Sequence, residues 1–316
     1  MRSDTIGFLY IVDLDRYYEY YRRGLRRIIP KRLMPVTRPR VLKQVYDSDE
    51  QVIGTVGGIF LKESNIKRDQ VLEKLVRGIE VLKQSNTHNL ILDELYLFNG
   101  DDIRYIENKT GLQVIRGRKV ISAFIIPVLE EIHLNLGQEL GDKEVLILGN
   151  CGELTKDIIE TICTKVRFIT LAGENNGSIE NLIDEVFNSI GLSIFYSRKV
   201  EDILPNYSII INLGEDISID LNKIKERAIV FDFSLDNIVN KLMLDGSRPR
   251  AIEDFIFRCN PLSIGDIRWI EDLLPSYVYE YFYPKGSAEI EKLNIAGKLY
   301  DIEEYVSLYL RDRGKL

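Results

Sequence analysis

Histidine is almost missing from this chain of 316 residues, which contains only His88 and His133. A Ser-His-Asp triad or a histidine-centred metal cluster therefore has almost nothing to be built from. The three cysteines, Cys151, Cys163 and Cys259, stand apart, with no Cys-x-x-Cys or Cys/His spacing. They are too few for a disulfide framework and wrongly spaced for a structural metal, so no metal is expected. No apolar run approaches the roughly 18–20 residues of a membrane span, and the opening MRSDTIGFLYIVDLD lacks the order of a signal peptide. A cytoplasmic protein with no membrane span is expected. Acidic residues outnumber Lys and Arg by 49 to 42, giving a net charge of −7. No nucleic-acid partner is expected: the basic cluster RRGLRRIIPKR at 22–32 reads as a solvated helix end. The nearby Tyr17, Tyr18, Tyr20 and Tyr21 are too dense for one helical face and lack the grooved, interleaved setting of a base-stacking platform.

What is present is the composition of a globular protein, 45% hydrophobic and 29% charged, long enough for two domains and a sizeable core. The stretch EVLILGNCGELT at 144–155 organises the rest. Val145, Leu146, Ile147 and Leu148 form the continuous apolar run of a central parallel strand covered on both faces. Gly149, Asn150, Cys151 and Gly152 then make a tight turn, and Glu153 and Leu154 open a helix. Such a turn lets the backbone approach a pyrophosphate, with the N–H groups and positive dipole end of the helix facing it. The pattern is G-x-x-G-x-x-T, with Thr155 where the dinucleotide fingerprint has its third glycine.

Residues 166–171 predict a second parallel strand ending in Gly173-Glu174. Glu174 lies about twenty residues beyond the turn, the interval at which such folds place a carboxylate on the ribose 2′-OH. The cofactor expected is NAD or NADP, with NAD favoured because Glu174 would repel a 2′-phosphate. The run at 208–212 predicts a further buried strand, whose carboxyl end puts Asn212, Leu213 and Gly214 beside a ligand. Asp232 ends the next strand, predicted over 228–232.

The first part of the chain predicts a strand over 6–12, a helix over 14–27, and a hairpin of strands 41–46 and 51–61. Gly54, Gly57 and Gly58 in the second hairpin strand mark a bulge or the close approach of a ligand or another backbone. A helix over 66–84, a strand over 89–97, a helix over 101–109 opened by Asn99-Gly100, a strand over 112–115 and a helix over 119–136 carrying Pro127 follow. Beyond Phe233, residues 267–283 predict a tyrosine-rich helix broken at Pro275, and residues 299–311 a last amphipathic helix. The fold expected is α/β in two domains. They are an N-terminal α/β substrate domain (1–138) and a Rossmann-like doubly wound parallel sheet (139–265), with a C-terminal helical segment (266–316) packing back on the N-terminal domain.

Four segments, GFLYIVDLDRYYEYYRR, GTVGGIFLKES, VISAFIIPVLEEIHLNLG and EVLILGNCGELTKDIIETIC, taken in that order, resemble the long-chain acyl-ACP reductases (ACP, acyl carrier protein), which make fatty aldehydes. The Rossmann domain of that family is related to those of shikimate dehydrogenase and glutamyl-tRNA reductase. The resemblance covers roughly residues 6–232. It implies an NAD(P)-dependent oxidoreductase acting on an acyl thioester or a related carbonyl substrate in the cleft between domains, with acyl carrier protein as a partner. It also implies an acyl-accepting cysteine after the Rossmann strands, for which Cys259 in FRCNPLSIGD is the match by position; a buried structural cysteine beside Phe257 is the alternative. The chain departs from the family at Thr155, at Gly173, where an NADP-binding arginine is expected, and at LILDELYLF, where the family is glycine-rich. Those departures keep two other functions open: a non-catalytic or regulatory ligand-binding protein, and a transferase using another adenosine cofactor such as S-adenosylmethionine. A homo-oligomer is compatible with either.

Overall fold

The computed structural model describes residues 7–12, 17, 38–46, 52–59, 67–149, 152–173, 178–214, 219–234, 239, 250–258, 262–264, 267–270, 272–282 and 289–311. The chain divides into two compact units, residues 1–116 with 259–282, and residues 117–258 with 283–316.

In the first unit, β1 (Gly7–Ile11) is buried at every position. The expected hairpin follows as β2 (Arg40–Tyr46) and β3 (Val52–Gly58), which pair antiparallel. Then come α1 (Arg68–Leu82), β4 (Thr87–Leu92), α2 (Gly100–Thr110) and β5 (Gln113–Val114). The strands lie in the order β2-β3-β1-β4-β5, with β3, β1, β4 and β5 parallel. β4 stops at Leu92, short of the expected 97, because a 3-10 turn at Leu95–Leu97 carries the chain off the sheet. The glycines of β3 make room for protein side chains. A Cβ on Gly58 would lie 2.2 Å from the ring of Tyr17, and one on Gly57 2.6 Å from Leu82 Cδ1.

Asn99 caps α2 as its sequence suggests. Its side chain accepts a hydrogen bond from the Asp102 N–H at 2.8 Å, and the Asp102 carboxylate accepts one from the Asn99 N–H at 2.9 Å. Arg68, at the start of α1, donates to the same buried carboxylate through Nε at 3.1 Å, forms an ion pair with it through Nη2, and reaches Leu97 O at 3.1 Å. One carboxylate thus joins two helix starts. Asp102→Ala is expected to destabilise the first unit by about 2 kcal/mol, as lost caps and broken charged hydrogen bonds do, read as a lower midpoint in urea.

The second unit opens with α3 (Arg118–Leu136), bounded by Gly117 and Gly137 in left-handed conformation, with Pro127 inside it. His133 on this helix is buried, with Nδ1 2.8 Å from Leu129 O. Burial holds its pKa below the usual imidazole range, with Lys143 adding to the effect against the hydrogen bond to Leu129. The sheet follows: β6 (Glu144–Leu148), α4 (Glu153–Ile162), β7 (Phe168–Ala172), α5 (Ser178–Ile190), β8 (Phe195–Ser197), α6 (Val200–Ile203), β9 (Ile209–Asn212) and β10 (Ile229–Asp232). All five strands are parallel, in the order β10-β9-β6-β7-β8. Counted from β6 this is 3-2-1-4-5, the arrangement of a Rossmann sheet. The strands read as unbroken apolar runs because both faces are covered: Leu146, Leu148, Ile210 and Val230 lie in one core cluster with Leu204, Ile219 and Ile224. Between β9 and β10 the described chain makes a single 3-10 turn, Leu221–Lys223.

The C-terminal third departs most from expectation. β11 (Asp254–Arg258), β12 (Leu262–Ile264), β13 (Ile267–Ile270) and β14 (Leu273–Pro275) precede α7 (Ser276–Phe282). The sequence pattern over 267–283 indicates one helix broken at Pro275, but among the described residues of that stretch only Ser276–Phe282 is helical, and β13 instead pairs antiparallel with β12. Within the first unit, α7 directs Tyr277 and Tyr281, one turn apart, at β1 and β4. Tyr277 donates to Asp93 O at 2.7 Å, the Tyr281 ring lies 4.7 Å from that of Phe8, and Tyr10 donates to Asp93 Oδ1 at 2.6 Å. β15 (Ile290–Ile295) pairs antiparallel with β11 and with β16 (Lys298–Tyr300). The helix expected over 299–311 therefore starts later, as α8 (Ile302–Tyr305) continued by a π-helical turn, Val306–Leu310. It packs on α3, and Arg311 donates to Asn135 O at 2.7 Å. Among the described residues, no helix is long and apolar enough to cross a membrane, and no three His, Cys, Asp or Glu side chains are grouped to hold a metal ion.

Candidate nucleotide-binding site

In a doubly wound parallel sheet, strand order reverses about the first strand, and ligands collect outside the carboxyl ends there. Here that point lies between β6 and β9. The chain leaves β6 at Gly149, whose φ of 151° is open to glycine and costly for other residues. Its N–H donates to Ala172 O at 3.1 Å, so the turn leans on the end of β7. On the other side Leu213 N–H donates to Leu148 O at 2.7 Å, extending the β9 pairing one residue past the strand. A Cβ on Gly149 would stand 3.0 Å from Leu213 Cβ and 3.1 Å from Gly214 N. Gly149, Leu213 and Gly214 thus converge at one place.

Gly152 is the N-cap of α4, extended at φ −78° and ψ 169°, and has no side chain to cap the helix. Glu153 is exposed and Leu154 half-buried in the first turn. Thr155 is 1% exposed, so a buried side chain occupies the position where the fingerprint has a glycine for close helix–strand packing. Lys156 forms an ion pair with Glu185 of α5, tying the two helices together.

Gly173 follows Ala172, the last residue of β7, and its surroundings give a physical reason for the departure from the family pattern. A Cβ at this position would lie 2.6 Å from Gly149 O, a backbone atom. Gly173 O in turn accepts a hydrogen bond from the Tyr196 hydroxyl at 2.9 Å. An arginine would not fit position 173 without moving the glycine turn. Sequence reasoning overlooked Tyr196, although a tyrosine in a short edge strand beside a glycine is a signal of this kind.

Asn212 and Asp232, at the ends of β9 and β10, are both fully buried. Asn212 Nδ2 donates to Asp232 Oδ1 at 2.9 Å, and Asn212 Oδ1 accepts from Gly214 N–H at 3.2 Å. Ser234 Oγ donates to Asp232 Oδ1 at 2.6 Å and Val239 N–H to Oδ2 at 2.8 Å. Burial pushes the Asp232 pKa up, against hydrogen bonds from Ser234, Asn212 and Val239 that pull it down.

The structure thus brings Gly149, Gly152, Glu153, Leu154, Gly173, Asn212, Leu213 and Gly214 to the carboxyl edge of one sheet. Asn150, Cys151, Glu174 and Cys259, the other residues expected to bind or react, lie outside the described residues. The uncapped start of α4 beside the Gly149 turn fits an anionic group such as a pyrophosphate. Such an arrangement can bind an anion by backbone N–H groups and the helix dipole and let a ligand backbone pass close to the turn.

No protein-family model matches the chain, and no curated protein does. Solved structures do. One is the Δ1-pyrroline-2-carboxylate reductase of Thermococcus litoralis in complex with NADH and L-proline, at 10% identity, with 37% of this chain and 36% of that chain covered and a TM-score of 0.30. Another is the quinate dehydrogenase of Corynebacterium glutamicum in complex with NAD, at 12% identity, 72% and 79% coverage and a TM-score of 0.31. A third is the aspartate transcarbamoylase of Trypanosoma cruzi, at 12% identity, 72% coverage of each chain and a TM-score of 0.29. This chain spans about a third of the length of the first of them.

Proposed function

We propose that the unit built on β6–β10 binds a nicotinamide dinucleotide and that the protein is an NAD(P)-dependent oxidoreductase of a carbonyl substrate, an acyl thioester by resemblance to the acyl-ACP reductases. The observation that carries the reading is the 3-2-1-4-5 parallel sheet with a glycine of φ 151° at the end of its first strand. On this reading the pyrophosphate lies over Gly149–Gly152, with Asn150, Cys151 and the first turn of α4, Glu153 and Leu154, around it. Glu174 meets the adenosine ribose, which would favour NAD over NADP, and Asn212–Gly214 line the ring-side half. The bound dinucleotide supplies a hydride. Residues 1–138 carry the substrate, and acyl carrier protein delivers it. The Cys259 thiolate attacks the thioester carbon, forming a new thioester on the protein and releasing the carrier thiol, which takes up a proton.

Titration calorimetry with NADH, NADPH and S-adenosylmethionine tests the reading, with Gly152→Asp as the control that places a carboxylate at the start of α4. Binding of a nicotinamide dinucleotide that Gly152→Asp weakens at least tenfold is expected. Binding of S-adenosylmethionine alone would make the protein a transferase, and binding of none of the three would make it a ligand-binding protein of another kind. Cys259→Ser should then abolish aldehyde formation while dinucleotide affinity stays unchanged; unchanged turnover would remove Cys259 from the chemistry.

A further inference from the structure

Asp232 presents an unusual expense in this fold. It is fully buried, and among the described residues no Lys or Arg is paired with it. A buried carboxylate without a cation is costly, and an apolar side chain of similar volume would stabilise the core better. What the carboxylate has that no apolar group has is four hydrogen-bond donors converging from separate segments. Ser234 N–H at 3.3 Å and Ser234 Oγ at 2.6 Å come from the turn after β10, Val239 N–H at 2.8 Å from five residues further on, and Asn212 Nδ2 at 2.9 Å from β9.

The bond to Asn212 has a consequence at the site. An Asn side chain in this position can turn its amide either way, presenting oxygen or nitrogen to the Gly214 N–H. Because Asp232 accepts only, it fixes Nδ2 towards itself and leaves Oδ1 to accept from Gly214 N–H, at 3.2 Å. Phe233 N–H donates to Asn212 O at 2.9 Å, so the backbone of the same residue is held as well. Gly214 N is the atom that stands 3.1 Å from the position a Cβ would take on Gly149. The orientation of one buried amide therefore determines how close the β9 turn stands to the β6 turn.

We infer that Asp232 and Asn212 are a positioning pair that fixes the Leu213–Gly214 backbone against Gly149 and thereby sets the opening through which the dinucleotide is gripped. This rests on the nucleotide reading above, adds Asp232 to it, and gives the buried Asn212 side chain a role exerted through the Gly214 backbone. Neither residue is catalytic. A pair of this kind also explains why the polar residues sit at the ends of adjacent strands: the register Asn212↔Asp232 puts them side by side at the rim.

The test uses the full-length protein and four variants: Asn212→Ala, Asn212→Asp, Asp232→Asn, and the last two combined. The exchange of the two side chains restores a donor facing an acceptor, with the carboxylate now at 212 accepting from Gly214 N–H and from the amide now at 232; that amide nitrogen takes the place of Oδ1, so Ser234 N–H loses its acceptor and the Ser234 hydroxyl turns to accept, while Val239 N–H keeps its bond. Dinucleotide affinity is read by titration of NADH and NADPH, Gly214 amide exchange by NMR or mass spectrometry, and folding by circular dichroism. Asn212→Ala is expected to stay folded, weaken affinity about tenfold, the worth of a well-placed buried hydrogen bond, and speed Gly214 exchange. Asn212→Asp, with two carboxylates face to face, should be worse, and the exchanged pair should recover part of that loss, the Ser234 N–H being left without its acceptor. A purely structural role would lower the melting temperature in all variants without this recovery of affinity. Unchanged affinity in folded Asn212→Ala, or an exchanged pair no better than Asn212→Asp, would overturn the inference. If the wild-type protein binds neither dinucleotide, the nucleotide reading falls by itself, and Gly214 exchange then decides the pair: exchange unaltered by Asn212→Ala rejects it.

Discussion

Gly149→Ala is expected to destabilise the second unit by about 3 kcal/mol and to remove whatever ligand the glycine turn binds. Two costs coincide at this residue. The φ of 151° lies in a region that only glycine adopts freely, and forcing another residue there costs on the order of 1–3 kcal/mol. The added methyl also meets Leu213 Cβ at 3.0 Å and Gly214 N at 3.1 Å, and overpacking a tight contact costs typically about 1–3 kcal/mol more. Relief by moving the β9 turn away would stretch the Leu213 N–H bond to Leu148 O, now 2.7 Å. Gly191 gives the matched control. Its φ is 78°, yet nothing stands within 4 Å of an added Cβ. Gly191→Ala should therefore cost only about 1 kcal/mol, the backbone cost alone. Urea denaturation of both variants beside wild type, with dinucleotide titration of the folded fraction, measures the difference. Equal losses for the two would show that the contact between the β6 and β9 turns carries no weight.

The parts of this fold that could be read from sequence are those whose signal is local. β6, β7, β9 and β10 are buried on both faces and so appear as plain apolar runs, and the Asn99–Asp102 capping box is complete within four residues. The segment 267–283 has no such signal. Its apolar residues recur at intervals that fit a helix, while its strands exist through pairing, as β13 with β12. β15 carries no local signal for the same reason: its partner β11 lies more than thirty residues upstream, and its apolar residues Ile290, Leu293 and Ile295 do not alternate regularly with polar ones. The site divides along the same line. Gly149, Gly152 and Asn212 follow from a strand and its end. Gly173 could not be read correctly, because the reason for its missing side chain is the carbonyl of Gly149, 24 residues earlier in sequence and 2.6 Å from the Cβ it lacks. A residue that looked like a lost arginine is a packing requirement of the turn it adjoins.

The largest loss of stability is expected from Gly54→Val, in the first unit. Gly54 sits on β3 directly opposite Phe8 of β1. A Cβ there would fall 2.0 Å from Phe8 Cε1 and 2.2 Å from Cζ, inside the ring's own volume. A ring at the end of a flexible side chain could swing aside, but this one is 1% exposed and packs at 4.7 Å against Tyr281 of α7. Displacing it disturbs the helix as well as the sheet, since Tyr277 on the same face of α7 is bonded to Asp93 O. Valine brings three carbons where none fits, and a cost above about 3 kcal/mol is expected, at or beyond the usual range for overpacked cores. In a domain of ordinary stability, about 5–15 kcal/mol, that is enough to lower expression and expose α7 to proteolysis. The cause can be isolated by a second change. Phe8→Ala alone should cost about 3–5 kcal/mol by leaving a cavity, yet combined with Gly54→Val it should cost less than the sum of the two, because the valine then enters the space the ring vacated. A coupling of at least about 1 kcal/mol in that direction is the expected result of the double-mutant cycle. Simple additivity would mean that the glycine is required for its backbone and not for the ring that crosses it.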